Sequence, residues 1–220
     1  MSFENAQIEI RERFSEANSL LVYLRENGPE PLQPTSNNIK SLKGLWLVSI
    51  YSAVERSVNT TIEAALEVIS SHENRSVDCI PALLSIIYFN GIKSINECGK
   101  NKILDKSSSL FNDVFSEAVM KVTENPLAEN LQNVDANTIS WVLGLFGAPN
   151  LSVSSASTGR VNALRERRNA VAHGRESASE VGERYTLEEL NNIYQASDEV
   201  VTAFFLILSD HCSNQHYLKR

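Results

Sequence analysis

The chain has 220 residues, of which 42% are apolar and 21% charged, and it carries a formal net charge of −7. That length suits one large domain, and the composition is that of a folded soluble protein rather than a disordered one. The acidic balance argues against general DNA binding, because proteins that hold a phosphate backbone without sequence preference usually present a basic face. Any activity on nucleic acid then depends on a local basic patch or on a partner that delivers the substrate.

The sequence also indicates the cellular compartment of the protein. Its longest apolar runs, 45–54 and 200–208, are shorter than the roughly 18–20 residues that a membrane span needs. The first residues are polar and acidic, unlike the basic and apolar regions of a signal peptide. Cys79, Cys98 and Cys212 have neither CxxC spacing nor histidines in ligand register. We therefore expect a cytoplasmic protein with no membrane contact, no metal site and no cofactor.

Helical periodicity dominates the first hundred residues. Apolar residues recur at three-to-four spacing over 3–27, and the prolines that follow predict a short stiff linker over 28–34. The same spacing predicts one long helix over 36–71. A third helix is predicted over 78–97, where the density of apolar residues indicates burial on more than one side.

The middle of the chain is less regular. We predict a helix over 103–123 and a short helix over 137–146. Serine and threonine crowd residues 150–159, which is typical of a mobile loop. A helix over 160–172 then ends at Gly174, because glycine readily adopts the left-handed conformation that follows many helices.

The C-terminal helix begins with a capping box. Thr186 and Glu189 have the spacing of this motif, and they predict a terminal helix that runs to about Asp210. The sequence has no internal repeat and almost no β-alternation. The pattern therefore predicts an all-α fold, a single helical-bundle domain of about six to seven helices. Its predicted parts are the first helices (1–99), a less regular helical insertion (100–155), and the motif helix with the C-terminal helix (156–220).

The segment over 160–174 is the most informative about function. Val161, Leu164 and Val171 form the apolar stripe of its helix, and Arg168 occupies the position that completes the stripe. A guanidinium on an inward face is costly unless it is paired or lines a wet cleft. Arg168 is therefore a candidate functional residue.

Asn169 and His173 lie four residues apart and so share one flank of this helix. A histidine can take a proton from a ribose 2′-hydroxyl or give one to the leaving 5′-oxygen. Arg168 can stabilise negative charge on the phosphoryl oxygens, and the asparagine can orient the phosphate or the histidine. Such a set suits phosphodiester cleavage without a metal, and the need for a 2′-hydroxyl would restrict the substrate to RNA.

The run Arg168-Asn169-Ala-Val-Ala-His173, followed by Gly174, resembles the hallmark of the HEPN superfamily. That hallmark is an arginine and a histidine separated by a short spacer, often with a polar residue directly after the arginine. Members with an intact motif are typically metal-independent endoribonucleases of toxin, phage-defence or RNA-processing systems. They usually dimerise, so that the motifs of two subunits form one cleft.

The run Tyr51-Ser-Ala-Val-Glu55 also resembles an earlier HEPN helix, which in many members offers an acidic or polar side chain to the site. Glu55 and Tyr51 are therefore candidate supporting residues. The resemblance covers the motif helix well, the helical bundle loosely and residues 100–155 poorly. It implies an RNA-cleaving homodimer with a composite active site, and a cognate antitoxin or an associated enzyme as a further partner.

Each of these assignments has a simpler alternative. Arg168 can pair with an interior carboxylate such as Glu55, and His173 can be a helix C-terminal cation that the macrodipole favours. Tyr51 fits a core position as well as a site. Three more arginines are either RNA-steering residues or part of a solvated face, because glutamates lie between them: Arg165, Arg167 and Arg175, with Glu166 and Glu176.

Two other functions stay open at this stage. One is a non-catalytic HEPN interaction module that binds a partner protein, which the acidic net charge favours. The other is a nucleotide-binding or nucleotide-transferring role, for which this chain offers no transfer chemistry of its own. Outside the motif, His72, His211 and His216 have no partner residues with which to form a catalytic or metal site. We expect these three histidines on the surface.

Overall fold

The computed structural model describes residues 1–28, 34–122 and 125–219. This part of the chain contains helices and no β-strand, so the predicted all-α class is confirmed. Short 3-10 helices at Ser76–Asp78, Lys100–Lys102 and Ala128–Asn133 lie between the longer helices. The α-helices are α1 (Phe3–Glu26), α2 (Asn37–Ser71), α3 (Pro81–Ile87), α4 (Phe89–Asn96), α5 (Ile103–Val114), α6 (Ala136–Phe146), α7 (Ser155–Ala172), α8 (Ala178–Glu183) and α9 (Leu187–Ser213).

Polar caps set where most of these helices begin. A capping side chain accepts a hydrogen bond from the main chain three residues later, which satisfies one free N–H group of the first turn. The predicted capping box of Thr186 and Glu189 is confirmed at the start of α9, and Ser177 with Glu180 forms another at α8. The capping side chains are those of Ser2, Ser36, Asp135, Ser154, Ser177 and Thr186.

Helix α2 is the centre of the bundle. It packs against α1, α7, α8 and α9, and buried side chains follow it from Trp46 to Ile69. Trp46 is itself buried, and its indole N–H donates to the carbonyl of Ala17 on α1 at 2.8 Å. One cluster of buried side chains extends from Phe14 to Tyr217, so α2 fixes the position of the helices that carry the site.

The main chains of α2 and α8 approach each other closely at two glycines. A Cβ on Gly44 would lie 2.0 Å from the carbonyl oxygen of Ala178. A Cβ on Gly182 would lie 1.9 Å from the carbonyl oxygen of Lys40. Both positions therefore require glycine, and they hold α8 beside the N-terminal half of α2.

Two short chain segments pair where α9 has ended. We call this pairing the C-terminal seam (residues 78–80 and 217–219). The N–H of Ile80 donates to Tyr217 at 2.9 Å, and the N–H of Lys219 donates to Asp78 at 2.8 Å. Cys79 forms an isolated bridge with Leu218 within the seam. The seam thereby fixes the end of the described chain against the segment before α3.

Several predicted elements differ from the structure. The helix predicted over 78–97 is broken at Tyr88, which leaves helical geometry and ends α3. Its predicted burial on more than one side is also wrong, because α3 buries only Leu83 and Ile86, and α4 buries none of its residues. The helix predicted over 103–123 ends at Val114.

The serine-rich segment predicted as a loop over 150–159 contains the first turn of α7. Ser154 caps that helix, so its serines serve as a helix start rather than as a loop. The sequence also missed α8, whose six residues are too few for a periodic pattern. These differences raise the number of helices above the predicted six to seven. The predicted linker over 28–34 falls mostly on residues 29–33, outside the described residues.

His211 is buried, contrary to the prediction of a surface position. It follows Phe204 and Leu208 on the inner stripe of α9, and its Nε2 is 2.9 Å from the carbonyl oxygen of Phe146. None of the described helices combines the length and the apolar character that crossing a membrane requires.

Candidate active site

Helix α7 carries the motif and ends at it. Val161 and Leu164 are buried against the bundle, which fixes the rotation of the helix. His173 is the C-cap, and Gly174 follows in the left-handed conformation with φ of 66°. The helix therefore ends at the predicted glycine and leaves His173 at its exposed last turn.

Arg168 is held from three directions. Its Nη2 donates to Oε2 of Glu55 at 2.8 Å and to the carbonyl oxygen of Gln132 at 2.9 Å. Its Cζ lies 4.0 Å from the centre of the Tyr51 ring, a cation–π arrangement. The side chain is 16% exposed. The structure thus places Arg168 in the ion pair with Glu55 that the sequence left open as an alternative.

The two remaining nitrogens of Arg168 differ in their surroundings. Nε is buried and has no hydrogen-bond partner among the described residues. Nη1 makes no hydrogen bond to any residue of 1–28, 34–122 or 125–219, and unlike Nε it is not fully buried. The guanidinium is therefore anchored through Nη2 and keeps Nη1 available for an anionic ligand.

Burial sets the electrostatics around this arginine. It raises the pKa of the Glu55 carboxyl above its ordinary value, and the charge of Arg168 opposes that shift. Burial also raises the pKa of Tyr51 to about 12. The Tyr51 hydroxyl donates to the carbonyl oxygen of Val134 at 3.1 Å. Tyr51 therefore stays neutral near pH 7, with its hydroxyl bound to Val134 and its ring facing the guanidinium of Arg168.

Asn169 faces the protein. Its Nδ2 donates to Oδ1 of Asn133 at 3.2 Å, while its own Oδ1 is buried and unpartnered among the described residues. Its main-chain carbonyl accepts the N–H of His173 at 3.1 Å. The imidazole of His173 is exposed and makes no hydrogen bond to a described residue. The structure thus places Arg168 in contact with Glu55 and Tyr51 and holds Asn169 against Asn133, while the His173 ring makes no hydrogen bond to any of the described residues.

The candidate RNA-steering arginines have different surroundings. Arg165 forms ion pairs with Asp135 and with Glu166. The Nε of Arg167 lies 3.3 Å from the hydroxyl of Tyr185. Arg175 is exposed and forms no ion pair with a described residue. Among the three, Arg175 is the arginine best placed to meet a phosphate.

A segment that the sequence did not single out lies across the motif helix. We call it the crossing segment (residues 131–136). Besides the contacts of Gln132, Asn133 and Val134, its Asp135 pairs with Arg165, and the N–H of Ala136 donates to Oδ1 of Asn162 at 3.0 Å. Asp135 could have been found as the N-cap before the helix predicted over 137–146. The contacts of Gln132 and Val134 are made by main-chain carbonyls, so the residue types at these positions do not reveal them.

A polar groove of about 630 Å³ lies between α1 and α2 and reaches Glu55. Within the described ranges, no group of three or more His, Cys, Asp or Glu residues is placed to bind a metal ion. The groove gives a polar ligand room beside Glu55, and Arg168 is not one of the residues that line it. Its lining residues are Arg13, Glu16, Ser49, Ser52, Ala53, Glu55, Arg56 and Asn59.

The family of the chain is shown by a family-model match. The RiboL-PSP-HEPN model matches residues 8–210, which include α2, the crossing segment and the motif helix. The match spans residues 100–155, where the resemblance read from the sequence was poor. No curated protein and no solved structure matches the chain. HEPN domains generally act as RNases or as nucleotide-binding modules. The chain belongs to the RiboL-PSP-HEPN family of HEPN domains.

Proposed function

We propose that the protein is a metal-independent endoribonuclease of a toxin or phage-defence system, active as a homodimer with a composite active site. The observation that carries the proposal is the state of Arg168. Its guanidinium is fixed by Glu55, Tyr51 and Gln132, while Nη1 is left without a described partner. A preorganised donor of this kind suits the charge that develops on a phosphoryl oxygen.

The reaction is a transfer within the RNA. His173 accepts the proton of a ribose 2′-hydroxyl, and the 2′-oxygen attacks the adjacent phosphorus. The bond from phosphorus to the 5′-oxygen breaks, and an acid returns a proton to that oxygen. Arg168 stabilises the phosphoryl oxygens through Nη1. In a homodimer, His173 of the second copy supplies the acid, and the products are a 2′,3′-cyclic phosphate and a 5′-hydroxyl.

Cleavage of RNA in EDTA tests this proposal. We expect the purified protein to cut single-stranded or structured RNA, and His173→Ala to reduce the rate by about 100- to 10,000-fold, because a general acid–base contributes that much. His216→Ala, which alters another exposed histidine, is the matched control. Circular dichroism should show that both variants stay folded. Cleavage that survives His173→Ala would exclude the mechanism.

The toxin assignment has its own test. Expression of the wild-type protein should arrest growth of the host, whereas His173→Ala should be harmless at the same protein level. A cognate antitoxin or an associated enzyme would restore growth when it is expressed together with the wild-type chain. Growth arrest by both forms would contradict an RNase toxin.

A second candidate is a non-catalytic interaction module. Glu55 already neutralises Arg168, and the net charge of −7 is unfavourable for an RNA ligand. This candidate predicts no RNA cleavage at any protein concentration. It also predicts a stable complex with a partner protein that tolerates His173→Ala, and size-exclusion chromatography of the co-expressed pair would detect it.

A further inference from the structure

The crossing segment contacts two consecutive residues of the motif through two consecutive residues of its own. The carbonyl of Gln132 accepts from Arg168, and Oδ1 of Asn133 accepts from Asn169. We propose that Asn133 is a positioning residue of the proposed ribonuclease reaction, acting through Asn169 on His173. This inference rests on the proposed function and deepens it.

The segment is rigid enough to position its neighbours. Leu131 and Val134, on either side of Gln132 and Asn133, are fully buried. Val134 also accepts the hydroxyl of Tyr51, which stands on the central helix α2. Asn133 therefore lies in a segment that is anchored in the core on both sides, and its Oδ1 reaches Asn169 from there.

Asn169 connects Asn133 to the histidine. Its side chain is bound by Asn133, and its main-chain carbonyl accepts the N–H of His173 at 3.1 Å. The imidazole of His173 is exposed and has no hydrogen-bond partner among residues the structure describes. Beyond the histidine, the N–H groups of Arg175 and Glu176 donate to the carbonyl of Ala170 at 2.9 and 3.2 Å, so Asn169 and Ala170 together hold the last turn of α7.

Removal of the Asn133–Asn169 hydrogen bond should affect the reaction more than binding. Misplacement of a catalytic group by about 1 Å can reduce a rate by about 100-fold. Asn133 is exposed and lies in a 3-10 helix, so its truncation leaves no cavity in the core. We therefore expect a lower kcat, little change in KM and little change in Tm.

Three variants test this with an RNA substrate in EDTA. Asn133→Ala removes the acceptor, and we expect kcat to fall about 10- to 100-fold. Asn133→Asp keeps an acceptor oxygen for Asn169 and should restore most of kcat. Asn130→Ala alters an exposed asparagine of the same 3-10 helix and should match the wild type. Unchanged kcat in Asn133→Ala, or equal loss in Asn133→Asp, would overturn the proposal.

A second readout separates this inference from the proposed activity. Hydrogen exchange of the His173 amide, followed by NMR, should be faster in Asn133→Ala than in wild type, Asn133→Asp or Asn130→Ala. If no variant cleaves RNA but this exchange pattern holds, the proposed function is wrong and Asn133 still positions His173. If the His173 amide exchanges equally in all four proteins, the positioning role is wrong whatever the activity.

Discussion

Arg168 illustrates what a single position in a sequence reveals. Its place in the apolar stripe of α7 predicted an inward-facing cation, and an inward cation requires partners. Glu55 could be named as one partner because it is a carboxylate at the edge of the α2 stripe. The carbonyl of Gln132 could not be named, because a main-chain oxygen has no sequence signature. The stacking on Tyr51, worth about 0.5–2 kcal/mol, also depends on a geometry that only the fold supplies.

His211 gives a prediction at the same scale. Burial lowers the pKa of this imidazole, so the unfolded chain binds a proton more readily than the folded chain. Folding stability should therefore decrease as pH falls from about 7.5 to 5.5, through the ordinary histidine range. His211→Gln keeps an N–H donor for the Phe146 carbonyl and should make this decrease smaller. Urea unfolding at several pH values measures it.

The control for this prediction is His173→Gln, because His173 is exposed. We expect His173→Gln to keep the pH dependence of the wild type. If His211→Gln also keeps it, protonation of His211 does not govern acid stability.

The helices show which elements a sequence predicts well. Helices α1, α2 and α9 sustain an apolar period over many turns, and their bounds agree with the predictions to within a few residues. Helices α3, α4 and α8 have eight residues or fewer, so they are too short for an apolar period to repeat. The crossing segment runs from the end of a 3-10 helix to the start of α6 and has no apolar period, which is why a central part of the site was missed.

The crossing of α2 and α8 provides the prediction for elements. Gly44→Ala would place a methyl group 2.0 Å from the carbonyl oxygen of Ala178. Because main-chain atoms cannot move aside without separating the helices, we expect a loss of about 1–3 kcal/mol in the free energy of unfolding. Urea denaturation measures the loss.

Gly144→Ala is the matched control. Gly144 lies within α6, and a Cβ there meets nothing within 4 Å. We expect it to raise the free energy of unfolding by up to about 1 kcal/mol, since alanine favours a helix over glycine. Equal urea midpoints for Gly44→Ala and Gly144→Ala would show that α2 and α8 can move apart at little cost in free energy.

At the scale of the whole molecule, charge limits how RNA can be bound. The chain carries a net charge of −7, and Arg165 is already paired with Asp135 and Glu166. If the protein binds RNA as we propose, binding energy from phosphates should come from few residues near the end of α7, among them the exposed Arg175. The motif and composition together predicted a local site, but the sequence did not show which arginines were already paired.

The salt dependence of RNA affinity tests this view. If about three phosphates are neutralised, the slope of log K against log salt should be about −2 for single-stranded RNA. Arg175→Ala should make the slope shallower by about 0.7 for each phosphate that is no longer neutralised, because fewer counterions are released. Arg160→Ala, an exposed arginine at the start of the motif run, should leave it unchanged. Fluorescence anisotropy with a 2′-O-methyl RNA, which resists cleavage, measures the slope. A slope that responds equally to both variants would indicate diffuse attraction instead of a local site.

Two buried cysteines at and near the C-terminal seam can report when this part of the core opens. Cys79 lies inside the seam and Cys212 near the end of α9, and both are fully buried free thiols, whereas Cys98 is half-buried. Burial raises the pKa of Cys79 to about 11 and also raises that of Cys212, so neither thiol is reactive while the core is closed. Alkylation of these two sulfurs therefore proceeds only as fast as the seam and the end of α9 open. The labelling rate of Cys79 and Cys212 therefore measures how often this part of the core opens. The labelling rate of the half-buried Cys98 gives the reference for a thiol outside the core.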